Sequence, residues 1–134
     1  MGIDLVDVED VADSVEQFGD RYVTRIYTEH EIACCRTGRD ESGPIYAMES
    51  LAARFAAKEA VLKVLRPVEV QPAWRSIELH RTTGGWCEIR LSGPAAALAA
   101  EAGIEGLSVS LSHEPAIAAA VVVGWFTSKD RGDG

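Results

Sequence analysis

From Ser50 to Leu65 the chain reads SLAARFAAKEAVLKVL, free of Gly and Pro and rich in Ala, Leu, Lys, Arg and Glu. This composition predicts about four turns of helix. Wound at about 100° per residue, Leu51, Phe55, Leu62 and Leu65 form one apolar stripe with Val61 at its edge. Lys58 falls inside that stripe and Arg54 on its flank, so two cations are held against apolar surface. Glu59 and Lys63 stand at i, i+4 on a face otherwise made of Ala52 and Ala56, small enough for a ligand or another backbone to approach closely. On this helix alone, a snorkelling Lys58 and an ordinary surface ion pair account for the pattern as well as a functional site does.

The remaining pattern supplies a scaffold for that helix. Met1–Val8 is a β-branched and Leu-rich run that predicts a strand, with Asp4 set among Ile3, Leu5 and Val6. Val8, Val11, Val15 and Phe18 recur at helical spacing opposite Glu9, Asp10, Asp13, Glu16 and Gln17, giving an amphipathic helix with an acidic outer face. Gly19 and Asp20 break it, and a helical turn resumes over Arg21–Tyr27 with Tyr22 and Ile26 inward and Arg21 and Arg25 side by side. Thr28 with Glu31 forms a capping box opening a third helical piece, Glu29–Arg36. Thr37–Pro44 is polar and Gly-containing and reads as a mobile loop. Beyond Pro67, alternation over Ile77–Arg81 and Cys87–Leu91 around a Thr82–Gly85 turn predicts a hairpin. Pro94 and Gly103 bracket an alanine-rich helix, Pro94–Ala102. Leu107–Leu111 alternates with serines, His113–Ile117 reads as a turn, and Ala118–Trp125 as a strand buried on both faces or against a neighbouring subunit.

The predicted fold class is α+β, with antiparallel strands packed on one long central helix. Its 134 residues, without internal repeat, suit a single domain over residues 1–127 followed by a polar tail, 128–134. A hydrophobic content of 47% excludes a disordered chain, and a net charge of −8 argues against a nucleic-acid partner. An anionic ligand must therefore meet a local basic patch, such as Arg54, Lys58, Lys63 and Arg66. The three cysteines, Cys34, Cys35 and Cys87, lack a disulfide or zinc spacing and suit a reducing cytoplasm. The longest apolar run, Ala116–Phe126, is too short to span a bilayer, so no membrane partner is expected.

Asp4 and Glu59 are the two acids set in otherwise apolar segments. Hard divalent cations such as Mg²⁺ take one or two carboxylates, waters and substrate phosphate oxygens. Asp4 and Glu59 as metal ligands with Lys63, Arg54 and Lys58 nearby would form a phosphate-and-magnesium site. His113, beside Ser112 in SLSHEPAIAAAVV, is either a structural histidine or a phosphate ligand. No nucleophile stands in a recognisable Ser/Cys–His–Asp spacing, and no GxGxxG or GxxxxGK is present.

The GIDLVDV start, RIYTEHE, the RFAAKEAVLK helix and SLSHE followed by AAAVVV come in the order and spacing of one known family. Over Gly2–Val123 the chain resembles the holo-[acyl-carrier-protein] synthases, the short AcpS-type 4′-phosphopantetheinyl transferases. The resemblance implies the transferase-like fold of that family, with transfer of 4′-phosphopantetheine from coenzyme A to a serine of an apo acyl carrier protein, releasing adenosine 3′,5′-bisphosphate. It implies that Asp4 and Glu59 hold Mg²⁺, that Lys63 contacts the phosphates, and that Glu59 serves as base. Arg54, Lys58, Lys63, Ser112 and His113 would bind coenzyme A. It further implies a homotrimer with sites between subunits, and Arg21 and Arg25 as the cations near the docked carrier. Two other readings are a silent module binding coenzyme A or a carrier, and a magnesium-dependent phosphohydrolase.

Overall fold

The structure, a computed structural model, describes residues 1–126. The expected tail at 128–134 lies outside them. The central helix α4 runs Met48–Leu65 and closes at Arg66, whose backbone turns left-handed at φ 50° just before Pro67. Burial encircles α4: Leu51, Ala52, Arg54, Ala56, Lys58, Val61 and Leu65 are all inside, and of its second half only Lys63 is exposed. The expected one-sided stripe is thus a helix buried all round. Its alanine face meets protein, since Ala52 and Ala56 are fully buried in the two halves of the core.

What covers α4 on one side is an antiparallel sheet of β1 (Gly2–Asp7), β7 (Ile117–Phe126) and β6 (Ile104–His113), in the order β1-β7-β6. Strand alternation sends Ala118, Ala120 and Val122 of β7 inward onto the helix, while Ile117, Val123 and Trp125 stay exposed. The last strand is therefore buried on one face only within the protomer. β1 approaches α4 so closely that a Cβ at Gly2 would collide with the carbonyl oxygen of Ala60. Glycine is what lets that strand lie on the helix. The register aligns Asp4, Ala120 and Leu111 in one row across the sheet, and Val6, Ala118 and His113 in the next inward row.

Around this centre pack α1 (Val8–Phe18), α2 (Asp20–Ile26) and α3 (Glu29–Cys35), the hairpin β4 (Ile77–Arg81) with β5 (Cys87–Leu91), and α5 (Gly93–Ala102). The capping box at the start of α3 is present, with Thr28 N donating to Glu31 Oε1 at 2.8 Å and Glu31 N to Thr28 Oγ1 at 3.3 Å. Phe18, expected on the apolar face of α1, is the last residue of that helix and is half exposed. The expected mobile loop at Thr37–Pro44 is instead a second hairpin, β2 (Arg36–Asp40) with β3 (Gly43–Tyr46). Ser42 N donates to Asp40 Oδ1 at 2.8 Å and Gly43 takes φ 122°, so turn chemistry closes the ribbon. Every residue of β2 is exposed, which leaves no hydrophobic alternation to read. His113 ends β6 rather than lying in a turn. No helix among the described residues is long and apolar enough to cross a membrane.

Candidate active site

Two clefts flank α4, on opposite sides. The first, about 580 Å³, is lined by Asp4 and Asp7 of β1, Asp10 of α1, Tyr22 of α2, and Phe55 and Glu59 of α4. It brings together the two acids singled out from the sequence. The strand places Asp4 on the inward row beside Gly2 and Val6, and the tight seat of Gly2 on Ala60 carries that row up to the helix. Lys63 Nζ donates to Asp4 Oδ1 at 3.0 Å and to the Ile3 carbonyl at 2.6 Å. Its ion pair goes to Asp4 and not, as the i, i+4 spacing predicts, to Glu59.

Burial pushes the Glu59 carboxyl above its ordinary value, and the neighbouring Asp4 charge pushes it further, with Lys63 opposing both. A carboxylate whose ionisation is opposed by a neighbouring carboxylate is stabilised when a cation comes between the two. The donor set, two carboxylates facing an open cleft, suits a hard divalent cation that keeps several waters. Among the described residues no group of three or more His, Cys, Asp and Glu converges as a complete cage.

The second cleft, about 420 Å³, lies between α4, β6 and the β4–β5 hairpin, lined among others by Arg54, Arg81, Trp86, Cys87, Ser110 and His113. None of its lining residues is acidic. Arg54 is almost wholly buried, gives one hydrogen bond to the Ser50 carbonyl at 3.3 Å, and leaves its Nε without a partner. A guanidinium with spare donors at the wall of a cleft is an anion receptor. His113 Nδ1 lies 3.2 Å from Glu49 Oε2 at the start of α4, which ties the end of β6 to the helix. Ser112 is exposed beside His113, pairs with Ala119 across the sheet, and does not line this cleft.

Lys58 belongs to neither cleft. Its side chain is fully buried, with Nζ 2.8 Å from Glu31 Oε1 and donating to the carbonyls of Trp74, at 3.1 Å, and Ile77. Burial lowers its pKa, against the pull of Glu31. Glu31 also accepts from the backbone N–H of Leu79 at 2.8 Å, so the pair rivets α3, α4 and β4 together. The expectation that Lys58 binds coenzyme A is corrected accordingly: the displaced cation on the apolar stripe has a buried protein partner. Spacing did not reveal Glu31, because its sequence context already explained it as a helix cap. Glu49, Arg81 and Trp86 were also missed, since none of them breaks the sequence pattern of its own element.

Arg21 and Arg25 are exposed together on α2, beside a groove of about 520 Å³ that Phe18, Tyr22, Ile26 and Trp74 also line. The three thiols are free, and burial drives the Cys35 pKa to about 11.

An acidic cleft and a cationic cleft thus stand on either side of one buried helix, and the class of protein is given by the 4′-phosphopantetheinyl transferase superfamily model, which matches residues 1–121. The chain is 41% identical over 126 residues to the holo-[acyl-carrier-protein] synthase of Desulforudis audaxviator, covering 92% of each. It superposes on the Chronobacterium ammoniagenes AcpS–coenzyme A complex with a TM-score of 0.79 at 27% identity, covering 94% of this chain and 96% of that one. On the Helicobacter pylori holo-[acyl-carrier-protein] synthase in complex with coenzyme A the TM-score is 0.75 at 28% identity, covering 92% and 98%. The chain belongs to the holo-[acyl-carrier-protein] synthase family of that superfamily. It is an enzyme of the phosphopantetheinyl transferase type.

Proposed function

We propose that this chain moves 4′-phosphopantetheine from coenzyme A to a serine hydroxyl of an apo acyl carrier protein in a Mg²⁺-dependent reaction that releases adenosine 3′,5′-bisphosphate. The observation that carries this reading is the meeting of Asp4 of β1 and Glu59 of α4 in one open cleft, with Lys63 bonded to Asp4. Mg²⁺ held by Asp4 and Glu59 would supply charge neutralisation of the pyrophosphate, the main requirement of phosphoryl chemistry. Lys63 orients Asp4 and presents its one remaining N–H to phosphate oxygens, neutralising the leaving group. Glu59, facing the open cleft, takes the proton from the serine Oγ. Arg54 and His113 hold the adenosine-phosphate end.

The carboxylate cleft and the cation cleft share no lining residue within one chain. Coenzyme A, with phosphates at both its pyrophosphate and its ribose, is suited to contact both kinds of cleft, one from each of two adjacent copies. The outer face of the β1-β7-β6 sheet supports such an assembly: Ile3, Leu5, Ile117, Val123 and Trp125 lie exposed on it. A homotrimer buries this face and makes three sites. Arg21 and Arg25, over the apolar groove beside Phe18, serve as the docking cations for an acidic carrier. The unpaired thiols suit a cytoplasmic setting.

Chromatographic detection of adenosine 3′,5′-bisphosphate tests the reading. Asp4→Ala and Glu59→Ala each abolish its carrier-dependent release while circular dichroism stays unchanged. Normal turnover in the Glu59 variant contradicts the site assignment.

A further inference from the structure

Trp86 closes the turn of the β4–β5 hairpin with its side chain 62% exposed, an unusual outlay for the largest apolar side chain. Its placement is nonetheless fixed. The Trp86 carbonyl accepts from both Thr82 N, at 2.8 Å, and Thr82 Oγ1, at 3.1 Å. The indole lies back on the turn so closely that a Cβ at Gly84 would collide with its Cζ3, Cη2 and Cε3 atoms. One face of the ring is thus backed by glycine, and the indole lines the same cleft as Arg54, Arg81 and His113. The remaining two tryptophans are otherwise engaged or distant in the fold: Trp74 packs on Phe55 with centroids 5.2 Å apart, and Trp125 lies on the outer sheet face.

A rigid, exposed aromatic plane beside a buried arginine with an unpartnered Nε matches a ligand that is itself a flat π-system attached to phosphate. We infer that Trp86 is the stacking platform for the purine of the coenzyme A adenosine, and that it sets the preference for a purine over a smaller base at this position. The inference rests on the coenzyme A reading of the site and assigns to the hairpin turn a part in substrate choice. Arg54 and His113 take the phosphate, and Trp86 takes the base.

The test is titration of the full chain with adenosine 3′,5′-bisphosphate and with cytidine 3′,5′-bisphosphate, followed by tryptophan fluorescence and by calorimetry. In the unsubstituted protein the adenosine ligand quenches Trp86 emission and binds more tightly than the cytidine ligand. Trp86→Ala weakens adenosine 3′,5′-bisphosphate binding about tenfold and levels the two bases, whereas Trp86→Phe keeps most of the affinity and preference. Gly84→Ala, which displaces the ring without removing it, falls between. Equal affinity in the Trp86→Ala and unsubstituted proteins, with transfer to a carrier intact, overturns the platform and leaves the enzyme reading standing. If the unsubstituted protein binds neither coenzyme A nor adenosine 3′,5′-bisphosphate, both fall together.

Discussion

Replacing Lys58 by methionine separates a structural role from a ligand-binding one. The ammonium sits at zero exposure, 2.8 Å from an equally buried Glu31 carboxylate, and it also donates to the carbonyls of Trp74 and Ile77. Methionine fills the same volume, so the cost is chiefly an uncompensated buried carboxylate, about 3–5 kcal/mol. The two carbonyls that lose a donor keep the estimate at the upper end of that range. Against a total stability of about 5–15 kcal/mol this is a large fraction. With a urea m-value of about 2 kcal/mol/M, the unfolding midpoint falls by about 2 M. Circular dichroism in urea at fixed protein concentration reads the shift. Lys58→Met combined with Glu31→Gln removes both charges and recovers part of the loss, because the buried pair is coupled. At low temperature, where the single variant remains folded, its dissociation constant for coenzyme A stays within about twofold of the original. A midpoint shift below about 0.5 M, or a folded variant with coenzyme A binding destroyed, refutes the rivet and returns Lys58 to the ligand pocket.

Glu59→Gln stabilises the metal-free protein at neutral pH while removing activity. Its folded pKa is raised above the unfolded value, so the carboxylate favours folding less once it ionises; the thermal midpoint advantage of the variant is present above the raised pKa and vanishes as pH falls below the ordinary glutamate value. By the same sign, Mg²⁺ affinity of the original protein weakens with falling pH earlier than an isolated glutamate predicts, which calorimetry across pH checks. Gly2→Ala drives β1 off Ala60, costs about 1–3 kcal/mol by overpacking, and lowers transfer activity because Asp4 moves with the strand. Arg21→Glu with Arg25→Glu raises KM for an acidic carrier at least tenfold without altering coenzyme A affinity, an effect that shrinks with added salt.

Several elements were legible before any coordinates: α1, the β4–β5 hairpin and β6 from their hydrophobic period, α4 from its run of helix formers, and α5 from the Pro94 and Gly103 that bracket it. The β2–β3 ribbon was not, because its strand residues are exposed and its turn rests on Asp40 and Gly43 rather than on alternation. Within the site, Asp4 and Glu59 were legible as carboxylates out of place in apolar segments, and the fold does bring them to one cleft. Lys58 carried the same signal for another reason. A charge on an apolar stripe reports only that a partner exists, and the partner proved to be Glu31 on a separate helix. The local pattern around Trp86 and Glu49 does not show what they face, since their surroundings are assembled from strands and helices far apart in the chain.

Intact-mass spectrometry of a panel of apo acyl carrier proteins, incubated with this protein, coenzyme A and Mg²⁺ and with EDTA as the control, tests the central claim most directly. The account predicts a gain of one phosphopantetheine on a single serine of at least one carrier, lost with EDTA. Coenzyme A cleaved with every carrier unchanged, or bound without any transfer, contradicts it.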